Sequence, residues 1–363
     1  MNEQNVIRWH AEQGNAQELR QLALYDKGPK PENWQLSPRS VVEYLTGTTL
    51  EDGFIVQPKY FGDKRLLELA VATLATDRAL LLTGIPGTAK TWLSEHIAAA
   101  VSGDSTLIVQ GTAGTSEEAI RYGWNYARLL AEGPSEAALV PSPVMRAMQS
   151  GKIVRVEELS RMPAEVQDAL ITILSEKTLA IPELGQEVQA IKGFNLIATA
   201  NSRDQGVNEL SSALRRRFNT VVMPLPGTLE EEIHIVQSRV IQLGESLQLP
   251  VDTAGSTEAI KTLVTIFREL RSGKTADGKM RIKSPGSTLS PAEAISVITS
   301  GQALAAYFGN GSIQPGDIAA GMQGAIIKDP QHDTQVWKEY LETIVKERKG
   351  WEDYYQAAVK LLK

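Results

Sequence analysis

Gly84-Ile85-Pro86-Gly87-Thr88-Ala89-Lys90-Thr91 runs out of the apolar stretch Ala79–Thr83 and into a good helix, Trp92–Val101. Its spacing is close to G-x-x-x-x-G-K-[ST], with Ala89 where glycine is usual. Glycines let the backbone turn tightly and approach an anion. A helix start adds free N–H groups and a partial positive charge. The whole loop from Gly84 to Thr91 would therefore cradle the phosphates of a nucleotide. Lys90 would reach the β- and γ-phosphates, and the Thr91 hydroxyl would ligate Mg²⁺. The competing reading is an ordinary Gly/Pro turn before a helix. The order strand, loop, Lys-Thr, helix favours the phosphate.

Lys152-Ile153-Val154-Arg155-Val156-Glu157-Glu158 delivers two consecutive carboxylates at the end of a strand. In nucleotide hydrolysis the first, Glu157, holds the Mg²⁺ shell, and the second, Glu158, polarises the attacking water. Aspartate is usual at the first position. The extra methylene of Glu157 is expected to push its carboxylate out of register with the metal. Taken alone, the pair is equally a solvated charge pair. Phe194–Asn201 is an apolar strand ending in an amide that would orient the lytic water opposite Glu158, although Asn at a strand end also forms turns. Leu210–Phe218 sets Arg215, Arg216 and Arg217 before an apolar residue. They form either a solvated or nucleic-acid-facing patch, or an arginine finger offered to the γ-phosphate of a neighbouring subunit.

These groups need a scaffold that brings several strand ends together. Ala79–Thr83, Thr106–Gln110, Lys152–Val156, Phe194–Ala200 and Val221–Pro224 read as short strands, with helical stretches between them, Asp63–Thr76 ahead of the first. Such alternation implies right-handed crossovers and an α/β fold with a parallel sheet. From about residue 228 only helical periodicity remains, in Leu229–Leu243, Thr257–Leu270, Pro291–Tyr307, Thr334–Arg348 and Trp351–Leu362. The expected division is an N-terminal helical extension with a linker over 1–55, a nucleotide-binding core over 56–227 and a helical lid over 228–363. Residues 26–38, with three prolines, read as the linker. Ser272–Gly286 is a basic, glycine-containing loop.

Composition narrows the classes further. Of 363 residues 42% are hydrophobic, enough for real cores. There is no cysteine, which excludes disulfides, thiolate nucleophiles and Cys-ligated metals. Lys and Arg number 37 against 43 Asp and Glu, a net charge of −6 that argues against coating nucleic acid. No export signal or membrane span is readable, so a soluble, cytoplasmic protein is expected. His10, His96, His234 and His332 lack metal-ligand spacing. Glu230–Glu232 suit a helix start and need no functional account.

The order of motifs over about residues 60–310 resembles the AAA+ ATPases, and within them the MoxR family. GIPGTAKT is similar to that family's Walker A, where alanine before the lysine is a familiar variant. Glu157–Pro163 is similar to its Walker B and following segment, in which Arg161 would face a neighbouring nucleotide. Asn201 matches the sensor-1 position. Arg217, directly before Phe218, matches the arginine finger, with Arg216 as fallback. Ser116–Gly151 resembles the helix-2 insertion, and Thr178–Ile191 the pre-sensor-1 hairpin around Gly185. Ala292 stands at the sensor-2 arginine position, where Lys279, Arg281 or Lys283 would have to substitute. The resemblance implies a P-loop αβα core, a helical lid, and ATP with Mg²⁺ bound between subunits of a hexameric ring. It also implies chaperone-like remodelling with a partner carrying a von Willebrand factor A domain. The alternatives are a nucleotide-gated assembly module with little hydrolysis and, less favoured by charge, a nucleic-acid motor.

Overall fold

The computed structural model describes residues 6–201, 208–249 and 253–362. The chain divides into two compact units, one formed mainly by Trp9–Ile85 and Ala89–Met223, the other built on Pro224–Lys363.

The first unit is organised around five strands: β1 (Ala79–Gly84), β2 (Ile108–Gln110), β3 (Ile153–Glu157), β4 (Asn195–Asn201) and β5 (Phe218–Val222). They pair in parallel in the order β5-β1-β4-β3-β2. The wholly apolar run of β1 is explained by burial on both faces. Leu80 and Leu82 pack with Ile153, Ile197, Leu93 and Ile97 on one side, whereas Ala79 and Leu81 pack with Val154, Val156, Leu196 and Leu170 on the other. Successive side chains of a strand point to opposite faces, so one sheet feeds two cores and the layers are αβα. The edge strand β5 begins earlier than its apolar end suggests, because Asn219 and Thr220 lie exposed within it.

The long connection after β2 holds an antiparallel pair, Tyr122–Trp124 with Leu139–Pro141, and the helix Tyr126–Glu132 between them. Thr178–Ile181 pairs with Gln186–Gln189 as a hairpin, with Gly185 at φ +63° in its turn. Residues 26–38 are not a loose linker. Trp34 and Leu36 are buried in the core that holds Leu80 and Ile97. The Asp26 carboxylate accepts the backbone N–H and hydroxyl of Ser37, which in turn caps the helix Pro38–Thr46. The prolines there shape a packed segment rather than a flexible one.

The second unit is helical: Leu229–Ser246, Thr253–Ser272, Pro291–Phe308, Pro315–Ile326, His332–Tyr340 and Glu352–Leu361, around Phe267, Ile298, Met322, Trp337 and Tyr340. Pro315–Ile326 has no counterpart among the helices expected above, since Gly316, Gly321 and Gly324 depress helix propensity. Close packing explains one of them. A Cβ on Gly321 would sit 3.2 Å from Val297 Cγ1, on the neighbouring helix. Glu232 is fully buried and salt-bridged to Arg268 (2.9 Å) and Arg271 (2.7 Å), so it does more than favour a helix start. Among the described residues no helix is long and apolar enough to cross a membrane.

Asp333 ties this unit together. Its buried carboxylate accepts the backbone N–H groups of Asp329 (2.8 Å), Gly286 (2.9 Å) and Lys328 (3.0 Å), and pairs with His332 Nδ1 at 3.0 Å. Burial alone would raise its pKa. Those hydrogen bonds outweigh burial and hold it down at about 2, against an ordinary 3.8. A depressed folded pKa contributes stability above the unfolded value, and the contribution is lost as pH falls through the folded one. Thermal melting of the wild type should therefore fall between pH 3.8 and about 2, and Asp333→Asn should be less stable at pH 7 with a flatter fall over that window. Parallel curves for the two proteins would contradict this role.

Candidate active site

β1, β4 and β3 are neighbours, and their carboxyl ends carry Gly84, Asn201 and Glu157 to one edge of the sheet. Open parallel sheets bind ligands at that edge. Lys90 opens the helix Lys90–Ser102 and is 6% exposed. Its Nζ donates to the carbonyl oxygens of Gly84 (3.1 Å) and Ile85 (2.9 Å). Ala89 before it sits at φ +61°. That left-handed conformation disfavours an alanine by about 1–2 kcal/mol relative to the right-handed one, and glycine would adopt it freely. Strain kept in this way is characteristic of ligand clamps.

Glu157 and Glu158 are turned to different partners. Glu157 is buried, and its Oε2 accepts the hydroxyls of Thr91 (2.9 Å) and Thr199 (2.7 Å). Its Oε1 accepts from Ser94 Oγ (2.5 Å) and from Arg155 Nε (3.2 Å) and Nη2 (2.8 Å). The longer side chain reaches Thr91. Glu158 follows the strand at φ +54°, which swings its half-buried carboxylate toward β4. Asn201 Nδ2 donates to both of its oxygens, at 3.1 and 3.0 Å. Thr199 Oγ1 accepts the Glu158 N–H at 3.0 Å, so one hydroxyl braces both glutamates. Gly111 N–H donates to the Glu157 carbonyl at 2.7 Å, and a Cβ on Gly111 would lie 2.4 Å from the Glu158 carbonyl oxygen. Only glycine permits that approach.

Thr91 and Glu157 offer adjacent hard oxygen donors. Mg²⁺ takes few protein ligands of this kind and completes its shell with phosphate and water, so the donor set fits it. Among the described residues no group of three or more His, Cys, Asp or Glu could hold a metal unaided.

The arginines separate. Arg217 Nε donates to Ser175 Oγ (2.8 Å) and its Nη1 to the Ala213 carbonyl (2.6 Å). Arg216 is exposed, with its backbone carbonyl held by Arg78. Arg215 and Arg216 line a surface depression of about 400 Å³ with Glu209, Leu210 and Ser212. Arg161 is exposed. In the helical unit Ala292 follows Pro291 at a helix start, and two of the basic-loop cations are paired there, Lys279 with Asp277 (3.4 Å) and Lys283 with Glu339 (2.7 Å). His96 is buried with its Nδ1 at 2.7 Å from the Tyr44 hydroxyl. No motif in the sequence marks Ser94, Gly111, Arg155 or Thr199. The legible signals were a charge at Arg155 and a hydroxyl at Thr199, each inside an otherwise apolar strand.

Two family models match the chain: an AAA domain of the dynein-related subfamily over residues 79–218, and a YehL-like AAA+ ATPase C-terminal domain over residues 230–357. YehL of Escherichia coli (strain K12) is 39% identical over 352 residues, 95% of each chain. Midasin of Dictyostelium discoideum is 28% identical over 153 residues, 41% of this chain and 2% of its own. NtrX from Brucella abortus in complex with ADP superposes with a TM-score of 0.50 at 13% identity, over 82% of this chain and 64% of NtrX, a likeness of fold alone. With the P-loop sheet, the helical unit and near full-length similarity to YehL, the chain belongs to the YehL-like AAA+ ATPases.

Proposed function

We propose that this chain is a Mg²⁺-dependent ATPase of the MoxR type, which hydrolyses ATP between subunits of a cytoplasmic, hexameric ring and uses the cycle to remodel a protein partner. The observation that carries the reading is the division of labour between adjacent glutamates: Glu157 meets Thr91, and Glu158 meets Asn201. Lys90 binds the β- and γ-phosphates. Thr91 and Glu157 hold Mg²⁺, which supplies charge neutralisation at the transferring phosphoryl group. Glu158 accepts the proton of the attacking water, with Asn201 fixing its carboxylate. An arginine of the adjacent subunit stabilises the charge that develops on the γ-phosphate. Arg216 suits this role because it is exposed, whereas Arg217 is tied to Ser175 and Ala213. The partner is a protein with a von Willebrand factor A domain rather than nucleic acid. The MoxR resemblance supports the first half of that statement and the net charge of −6 the second.

Lys90→Ala is expected to weaken binding of a fluorescent ATP analogue about 10–100-fold, the loss of a charge-assisted hydrogen bond to phosphate. Unchanged affinity and turnover in this variant would overturn the assignment. A second reading, a nucleotide-gated module with little hydrolysis, is favoured by the guanidinium that Arg155 sets against Glu157. Phosphate release by the wild type at the level of Glu158→Gln would establish that reading instead.

A further inference from the structure

Arg155 is out of place by the usual logic of a central parallel strand, whose residues are apolar because both faces are covered. It is 4% exposed. It lies two residues before Glu157, so both side chains stand on the same face of β3. Its guanidinium is held from several sides. Nε and Nη2 grip Glu157 Oε1 at 3.2 and 2.8 Å, Nε also reaches Ser94 Oγ at 3.1 Å, Nη1 donates to the Ser105 carbonyl at 3.1 Å, and Nη2 to the Thr91 carbonyl at 3.3 Å. Oε1 is thereby occupied by Arg155 and Ser94. Oε2 alone faces Thr91 and Thr199.

We infer that Arg155 is a positioning residue that adapts a glutamate to a metal-binding position suited to aspartate. Its fork draws Oε1 back along the strand face and takes up the extra methylene. The carboxylate then presents one oxygen, Oε2, to the divalent cation of a bound nucleoside triphosphate, beside Thr91. Partners one layer behind a metal ligand typically change affinity or activity about 10–100-fold when removed. The inference rests on the ATP reading proposed above.

The test is a cycle of Arg155→Met, Glu157→Asp and the double variant in the full chain. Turnover is read as phosphate release. Mg²⁺ dependence of binding is read separately, with a fluorescent ATP analogue titrated from EDTA into Mg²⁺. Arg155→Met should lower turnover about 10–100-fold. It should also raise the Mg²⁺ needed for half-maximal analogue binding, because Oε2 is no longer held beside Thr91. Glu157→Asp alone should lose turnover, since the shorter side chain cannot span Arg155 and Thr91. The double variant should exceed both single variants. Arg155→Lys, which keeps the charge but not the fork, is carried through the same cycle in case the methionine variant does not fold, and its loss of turnover should likewise be relieved by Glu157→Asp. Reduced turnover with an unchanged Mg²⁺ requirement, or a double variant no better than its parents, would make Arg155 ordinary packing and overturn the inference alone. A wild type that binds no nucleotide would overturn the ATP reading, and the inference with it.

Discussion

Arg216→Ala is expected to bind ATP as the wild type does and to hydrolyse it about 10³–10⁵-fold more slowly, the range for loss of an arginine that meets the transferring phosphoryl group from a neighbour. A finger must extend away from its own subunit. Arg217 is held by Ser175 Oγ at 2.8 Å and the Ala213 carbonyl at 2.6 Å, so it braces the short helix Ser212–Arg215 against its own unit. Arg216 is exposed one residue earlier, on a backbone fixed by Arg78 and by the pairing of Phe218 with Ala79. Arg217→Ala should therefore lose less turnover than Arg216→Ala and more thermal stability. The reverse pattern, with turnover lost in Arg217→Ala and kept in Arg216→Ala, would return the finger to the position directly before Phe218.

Glu158→Gln should keep nucleotide affinity and lower turnover about 10²–10⁴-fold, the contribution of a positioned general base. The substitution preserves shape, removes the charge and the ability to accept a proton, and leaves one oxygen to accept from Asn201 Nδ2. The backbone is specialised for this side chain: Glu158 is held at φ +54°, its N–H is bound to Thr199, and Gly111 leaves room for its carbonyl. A left-handed glutamate is retained where the surrounding structure enforces it, as at reaction sites. Because Asn201 donates to both carboxylate oxygens, Asn201→Ala should share part of the loss by freeing the Glu158 side chain. Glu158→Gln with wild-type phosphate release would remove Glu158 from the chemistry.

The fold was legible where physics is local. Ala79–Leu82 is a continuous apolar run, and Ile153, Val154 and Val156 are apolar around Arg155, because both faces of a parallel strand are covered, and the Lys-Thr pair sits at a helix start that its own loop defines. The helix Pro315–Ile326 was not legible, because packing against Val297 rewards a glycine that helix propensity counts against it. Nor was the packing of Trp34 and Leu36, since three prolines look alike in a linker and in a tight docked segment. At the site, the residues recognised were those whose neighbours in sequence make a motif. Thr199, Ser94 and Gly111 act through residues far from them in the chain, and only strand order brings them together. Glu157 is the instructive case. Its extra methylene predicts a misplaced carboxylate as long as Arg155 is read as a lone charge. With the fork in view, the same side chain is drawn back by Arg155 and still meets Thr91.

The most direct test of a composite site mixes two inactive proteins. Arg216→Ala retains Glu158, Glu158→Gln retains Arg216, and each alone is expected to release phosphate far more slowly than the wild type. Mixed in equal amounts with ATP and Mg²⁺, they should form rings in which roughly a quarter of the head-to-tail interfaces carry both intact groups. Phosphate release should then recover to roughly that fraction of the wild-type rate. A mixture as inactive as its components, with mixed rings demonstrated by differently tagged chains, would contradict hydrolysis at a site shared between subunits.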